Sequence, residues 1–262
     1  MNSWRIDARV FCALMKREWY TIVDTSKDSL IDGTVHLGVQ FILIRFLFPT
    51  LGMPNSLIAP LFVGSIITIL FIQGFTTTFN QVFDLQGPRV IDYYLTLPLR
   101  PAWLMGVYIA RTMLSIAVTT LPFFFIGLPL LGSVLNLDLK IVTFSALYLL
   151  MLLCFSLWYT AAGFWYNLTW VLNNLWPRRI FFIFLFGCLI LPWQAVYDFS
   201  PIIAYLFLWN PVTYMAEGLR ASLLAVPAPI PIVASFGVTI SSIGLGVIAL
   251  KAGMRKRLDP VM

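Results

Sequence analysis

Residues 57 to 79 read LIAPLFVGSIITILFIQGFTTTF, a run without one charged side chain. At about 1.5 Å of rise per residue a helix of this length spans the ~30 Å hydrocarbon layer of a bilayer. Similar apolar stretches recur at about 30 to 52, 103 to 131, 141 to 166, 179 to 197 and 229 to 252. The expected fold class is therefore an all-α integral membrane protein with six transmembrane helices. Composition agrees: 60% of the 262 residues are hydrophobic and 11% are charged, whereas soluble domains run near a quarter charged. The first stretch begins too late, and is too polar at its start, for a removable secretory signal. It is expected to remain in the mature protein.

Orientation follows from Lys and Arg, which are retained on the cytoplasmic side. Arg5, Arg9, Lys16, Arg17 and Lys27 precede the first span, and Arg89 and Arg100 lie between the second and third. Arg178 and Arg179 precede the fifth, and Lys251, Arg255, Lys256 and Arg257 close the chain. The opposite side holds only Lys140 and Arg220. A multi-pass protein of the cell membrane with both termini cytoplasmic is expected. The net charge of +6 is distributed by membrane side and not as one stripe with aromatic platforms, so attraction to anionic lipid explains it better than nucleic acid. Cys12, Cys154 and Cys188 are too few and too scattered for a disulfide framework or a metal site.

Ahead of the first span, Trp4, Phe11, Met15 and Ile22 recur at helical spacing, with Arg5, Arg9 and Lys16 on another face. That pattern predicts a helix lying in the cytoplasmic interface over residues 3 to 25, or packed on a partner. Residues 1–28 are accordingly separated from a single six-helix transmembrane domain over 29–262. Within the first span Asp32, His36 and Gln40 follow at steps of four, and Arg45 comes five residues later. Ionisable groups at membrane depth face a bundle interior or a wet cavity, which makes these four candidate pathway residues. The alternative puts Asp32 and His36 at headgroup level, with Arg45 reaching outward. Arg111 is expected to reach lipid phosphate in the same way.

The loop over 80–102, NQVFDLQGPRVIDYYLTLPLRPA, is the longest polar insertion. Gly87 and Pro88 make a breaker and helix start, Arg89 to Leu97 suits two helical turns, and Pro98 with Pro101 stops them. A short helix held between turns suits docking of another protein, although Tyr93, Tyr94 and Trp103 equally suit a connector resting on the interface. The Asn167-Leu168-Thr169 sequon falls on the predicted cytoplasmic side, where glycosylation does not occur. Over 198–227 the chain is apolar but interrupted by Pro, each piece too short to cross, so a re-entrant hairpin or a pair of interfacial helices is expected.

The reactive constellations of membrane enzymes are missing: one histidine precludes H-E-x-x-H, and neither a G-x-S-x-G elbow nor a G-x-x-x-x-G-K-[ST] phosphate loop occurs. No metal or cofactor is expected on this chain, and ATP-driven work would need a separate subunit.

Asn210, Pro211, Tyr214, Glu217 and Arg220 stand just before the last span, and Asp84 to Leu97, Pro98 and Gly106 accompany the second-to-third connection. In this order relative to six spans, the chain resembles the permease subunits of type-2 ATP-binding-cassette (ABC) exporters over essentially its whole length. The resemblance implies a pair of permease protomers, as homodimer or with a related chain, and two cytoplasmic ATPase subunits that hold ATP and Mg2+. It implies export between the protomers, and a coupling helix drawing on Gly87, Pro88, Arg89, Asp92, Tyr93, Tyr94 and Pro98. Asn210-Pro211 is then expected to form the turn of the re-entrant hairpin, with Glu217 and Arg220 pairing on one helix or forming only a solvated ion pair. Lipid, lipid-linked glycan or polysaccharide, and amphiphilic drug are the cargo classes. Phe123, Phe124, Phe125, Trp158, Tyr159, Trp165 and Tyr166 would line a path, or form an interfacial belt. A polytopic enzyme using Asp32 and His36 on lipid, and a non-transporting module that recruits an ATPase, stand as the other readings.

Overall fold

Apolar side chains at nearly every position of residues 58 to 71 leave a helix no polar face, so it is buried on all sides. This is what the computed structural model shows for Ile58–Gln86, in which every residue from Ile58 to Phe71 is buried. The structure describes residues 3–52, 54–87, 90–97, 100–131, 140–224 and 229–258, and every regular element among them is helical. We number the helices α1 (Ser3–Ile42, prolonged by a π-helical Leu43–Leu47 and by Phe48–Thr50), α2 (Ile58–Gln86), α3 (Val90–Leu95), α4 (Pro101–Leu131) and α5 (Ile141–Trp165). Next come α6 (Leu168–Trp170, the π-helical Val171–Ile180 and Phe181–Leu185), α7 (Trp193–Phe199), α8 (Pro201–Phe207), α9 (Pro211–Leu223) and α10 (Ile232–Leu258). Five stretches are long and apolar enough to cross a membrane: Asp7–Thr50, Ile58–Gln86, Ala102–Ile126, Ile141–Trp165 and Ile232–Arg257.

Side-chain contacts fix how these helices run. Along α1 and α4, Asp7 meets Arg100, Phe11 meets Trp103, Glu18 meets Arg111 and Gly33 adjoins Phe123, a parallel pairing. Between α2 and α5, Phe71 meets Phe155 and Gln81 meets Thr160, again parallel. Cys154 meets Ser242 and Trp165 meets Ala249, so α5 and α10 are parallel too. Ser29 to Gln73, and Thr120 to Tyr148, show α1 and α4 running opposite to α2 and α5. The start of α1 and the end of α10 consequently lie at one end of the bundle, together with Arg100 and Arg257; this is the basic end.

Two sequence expectations change here. No break separates an interface helix over 1–28 from the first span, because residues 3 to 32 contain neither Gly nor Pro and the helix continues through them. The resulting continuous helix, from Ser3 to Thr50, is ~72 Å long. Its Phe11 and Leu14 face packs on this chain's own α3 and α4 and not on a flat surface. The stretch expected as a span over 179–197 is also displaced: helix begins at Leu168 and ends at Leu185, followed by turns and Pro192. Asn173, Asn174, Arg178 and Arg179, read as loop, are helical. Pro177 sits inside this piece, and a π-helical turn is the form of helix that absorbs its missing N–H and bulky ring. Leu168 N–H donates to Gln86 Oε1 at the basic end, while Ile183, which accepts from Asn210, lines a cavity with Phe71 near the midpoint of α2. Helix α6 thus leads from the basic end toward mid-bundle, and Leu189, in the turns beyond it, meets Arg220 and Gly64 near the start of α2.

Candidate functional site

Helix α3 is six residues long, too short to be stable alone. Three attachments hold it. Val90 N–H donates to Asp84 Oδ1 at 3.2 Å across Gly87, which closes α2 by donating to the Phe83 carbonyl. Ile91 and Tyr94 are buried against Leu14, Leu104 and Tyr108. Tyr94 Oη donates to Glu18 Oε1 at 2.6 Å, and Arg111 Nε pairs with Glu18 Oε2 at 3.2 Å. A second ion pair joins Asp7 and Arg100 at 3.2 Å. Burial, then the hydrogen bond to Glu18, raises the Tyr94 phenol well above its ordinary value, so it donates throughout the physiological range. Arg17 lies over the same ring, 5.7 Å from its centroid.

Glu18 therefore ties α1, α3 and α4 together through one carboxylate. Sequence reasoning missed it, since its partners lie far along the chain and α1 looked like a surface helix. Arg111, expected to reach lipid phosphate, is committed to Glu18 instead. Of the expected coupling residues, Gly87 and Tyr94 are structural, Tyr93 is exposed, and Asp92 lies within α3. Pro88, Arg89 and Pro98 fall outside the described residues.

A second constellation is built on α9, eleven of whose thirteen residues are buried. Asn210 is its N-cap: the side-chain oxygen accepts from Val212 N–H at 3.0 Å, and Nδ2 donates to the Ile183 carbonyl at 2.7 Å. Pro211 at the first helical position costs the helix nothing, because that N–H has no partner within a helix. Asn210-Pro211 thus starts a helix as well as turning the chain. About two turns later Glu217 and Arg220 pair at 2.6 Å with both side chains 95% or more buried, which excludes the solvated alternative. Arg220 Nε and Nη2 donate to the carbonyls of Pro60 and Leu189, both at 3.0 Å, and Glu217 Oε1 also accepts from Trp193 N–H at 2.9 Å. The pair binds α2, the 186–192 turn and α7 to α9. Gly64 permits this approach, since a Cβ there would fall on the Leu189 carbonyl. Tyr214 packs at the margin with Trp193 and Phe207.

The candidate pathway residues do not gather. Asp32 and Arg45 are exposed, His36 and Gln40 are half-buried, and no hydrogen bond or ion pair joins the four among the described residues. They flank an exposed apolar face of α1 made by Ile31, Val35, Ile42 and Phe46.

Two cavities adjoin α9. One, of about 580 Å³, lies over the buried pair and is lined by Pro60, Gln194, Asp198, Glu217 and Arg220 among others. The other, of about 320 Å³, has Phe71, Phe155 and Tyr159 on its walls, with Trp158, Tyr166, Arg179 and Asn210. The aromatic residues singled out from sequence are thus divided. Trp158, Tyr159 and Tyr166 share this cavity, while Phe123 and Phe124 belong to the main core and Phe125 is exposed. Trp165 bonds the Ala249 carbonyl beneath Lys256. Comparison of the chain with family models, with curated proteins and with solved structures gives no match in any of the three.

Proposed function

We propose that the chain is the membrane-spanning permease subunit of an ATP-driven ABC exporter, working as a pair of protomers with two cytoplasmic ATPase subunits that bind ATP and Mg2+. The observation that supports this best is the short helix α3, fastened to α1 and α4 through Glu18 while Tyr93 stays outward. A helix that transmits force must be rigidly joined to the elements it moves and must keep a free face for whatever pushes it; α3 meets both requirements at the basic end. ATP-driven approach of the ATPases would displace α3, and Glu18 would pass the displacement to α1 and α4 as one body, biasing a two-state dimer. The α9 wedge, locked by Glu217 and Arg220 at the other end, would stay fixed while α1 and α4 move. Lipid, lipid-linked glycan and amphiphilic drug are the cargo classes in view.

The test is purification of the tagged chain in detergent from its native cell, with identification of accompanying chains and an ATPase assay. A stoichiometric ATPase subunit that is lost on Tyr93→Asp, while the chain itself stays folded, supports the reading. A chain that purifies alone and without ATPase activity overturns it.

A further inference from the structure

We infer that the 320 Å³ cavity between α2, α5, α6 and α9 is a binding site for a single-chain anionic amphiphile, its hydrocarbon chain against the aromatic walls and its acid group on Arg179. Shape comes first. The lining extends along α5 from Cys154 to Tyr166, twelve residues or ~18 Å of helix. A modest volume drawn out over that length is a slot, and a slot accepts one extended chain where a fused ring system or an oligosaccharide would need a bowl. The volume lies at the low end of the range for small-molecule sites, which are mostly apolar with a few placed polar groups.

Polarity comes second. The inner wall is buried and apolar, with Phe71, Phe155, Tyr159, Leu175 and Met215, and the rim is open at Trp158, Ile183 and Arg179. Arg179 lies over Trp170, which stacks on Tyr166 just past the end of α5, so its guanidinium stands at the basic end of the slot, while Phe71, near the midpoint of α2, lines the deeper part. A cation at the mouth of an apolar slot suits the acid group of an amphiphile whose chain runs inward. Arg179 is exposed and lies over the Trp170 ring at 5.6 Å; among the described residues no carboxylate pairs with it. By contrast Arg220 has its donors occupied by Glu217 and two carbonyls. An anionic headgroup supplies what Arg179 lacks, and a guanidinium fits a carboxylate or phosphate in two-point fashion.

Calling the bound amphiphile cargo rests on the exporter reading, but occupancy of the slot does not. The experiment uses the full chain purified in detergent, without any ATPase, and a palmitic-acid analogue carrying a chain-terminal diazirine. Labelled peptides are mapped by mass spectrometry, with unlabelled palmitate as competitor. Expected is saturable labelling confined to the walls, in 151–166 and 175–183. It should weaken about tenfold in Arg179→Gln, the scale of a lost charge-assisted hydrogen bond, and be abolished when Ala162→Trp fills the slot. Trp158→Ala, at the rim, serves as a second variant if Ala162→Trp does not fold, and should shift labelling without removing Arg179 dependence. The corresponding diazirine alcohol should label wild type about as weakly as the acid labels Arg179→Gln. Labelling spread over the exposed faces of α1 and α10, or acid and alcohol labelling alike, overturns the site. If an ATPase subunit co-purifies and the slot does not label, the site fails while the exporter reading stands; labelling without an ATPase partner has the reverse meaning.

Discussion

Arg220 Nη1 donates to Glu217 Oε1 at 2.6 Å, three residues earlier on the same helix, and both side chains are 95% or more buried. Every other contact of the pair leads to a different part of the chain: Pro60, Leu189 and Trp193. Breaking a buried pair leaves one charge without compensation, at a cost of about 3–5 kcal/mol, whereas replacing both partners by apolar groups is often near neutral. Arg220→Met should therefore lower the thermal midpoint of the detergent-solubilised chain more than Glu217→Leu/Arg220→Met does. A double variant as unstable as the single one would mean that the pair acts through its backbone carbonyls alone.

This pair was legible in the sequence because an i, i+3 spacing brings its members together by helical geometry. The Glu18 cluster was not, since Tyr94 lies 76 residues away and only the packing of α1 along α4 unites them. Apolar run length served well for α2, α5 and α10, whose interiors hold almost no charge. It failed for α6, where Asn173, Asn174, Pro177, Arg178 and Arg179 look like a loop, and a π-helical backbone facing a cavity accommodates them. The spacing of Asp32, His36 and Gln40 described one flank of a helix correctly, but a flank becomes a site only when other elements close on it.

Glu18 accepts from Tyr94 and pairs with Arg111 through separate oxygens, so the two contacts are removed separately or together. Tyr94→Phe deletes one hydrogen bond to a charged group, worth about 1.5–3 kcal/mol; Glu18→Ala deletes both contacts and leaves Arg111 unpaired. The midpoint should fall in the order wild type, Tyr94→Phe, Glu18→Ala. Combining Glu18→Ala with Tyr94→Phe should add less than the sum of the single effects, as residues in contact do. Additive losses would show that Tyr94 is held by its packing on Leu104 and Tyr108.

Gly74 and Gly163 mark where α5 approaches α2 most closely. A Cβ on Gly74 would enter the Tyr159 ring, whose hydroxyl donates to the Phe71 carbonyl at 2.7 Å, and one on Gly163 would meet the Gln81 amide. Gly74→Ala should destabilise by about 1–3 kcal/mol through overpacking, and Tyr159→Leu in the same chain should restore part of the loss. Gly38, Gly237 and Gly244 have nothing within 4 Å of the same position. Alanine there should leave the midpoint unchanged or raise it, since glycine weakens a helix interior. Equal losses at both groups of glycines would remove close packing as the explanation.

The arrangement of the helices also makes a prediction about sidedness. Cys12 is exposed on α1 near the basic end, and Cys154 and Cys188 are buried. Asp198, on α7, is exposed and shares a cavity with Pro60 at the opposite end. Lys and Arg are retained on the cytoplasmic side, so the basic end should face the cytoplasm. In intact cells a membrane-impermeant maleimide should leave the wild-type chain unlabelled and should label Asp198→Cys. Permeabilisation should then expose Cys12 in both. Labelling of Cys12 before permeabilisation would invert the orientation, placing α3 on the side without ATP, and would remove the physical basis for coupling through Glu18 even with every helix as described.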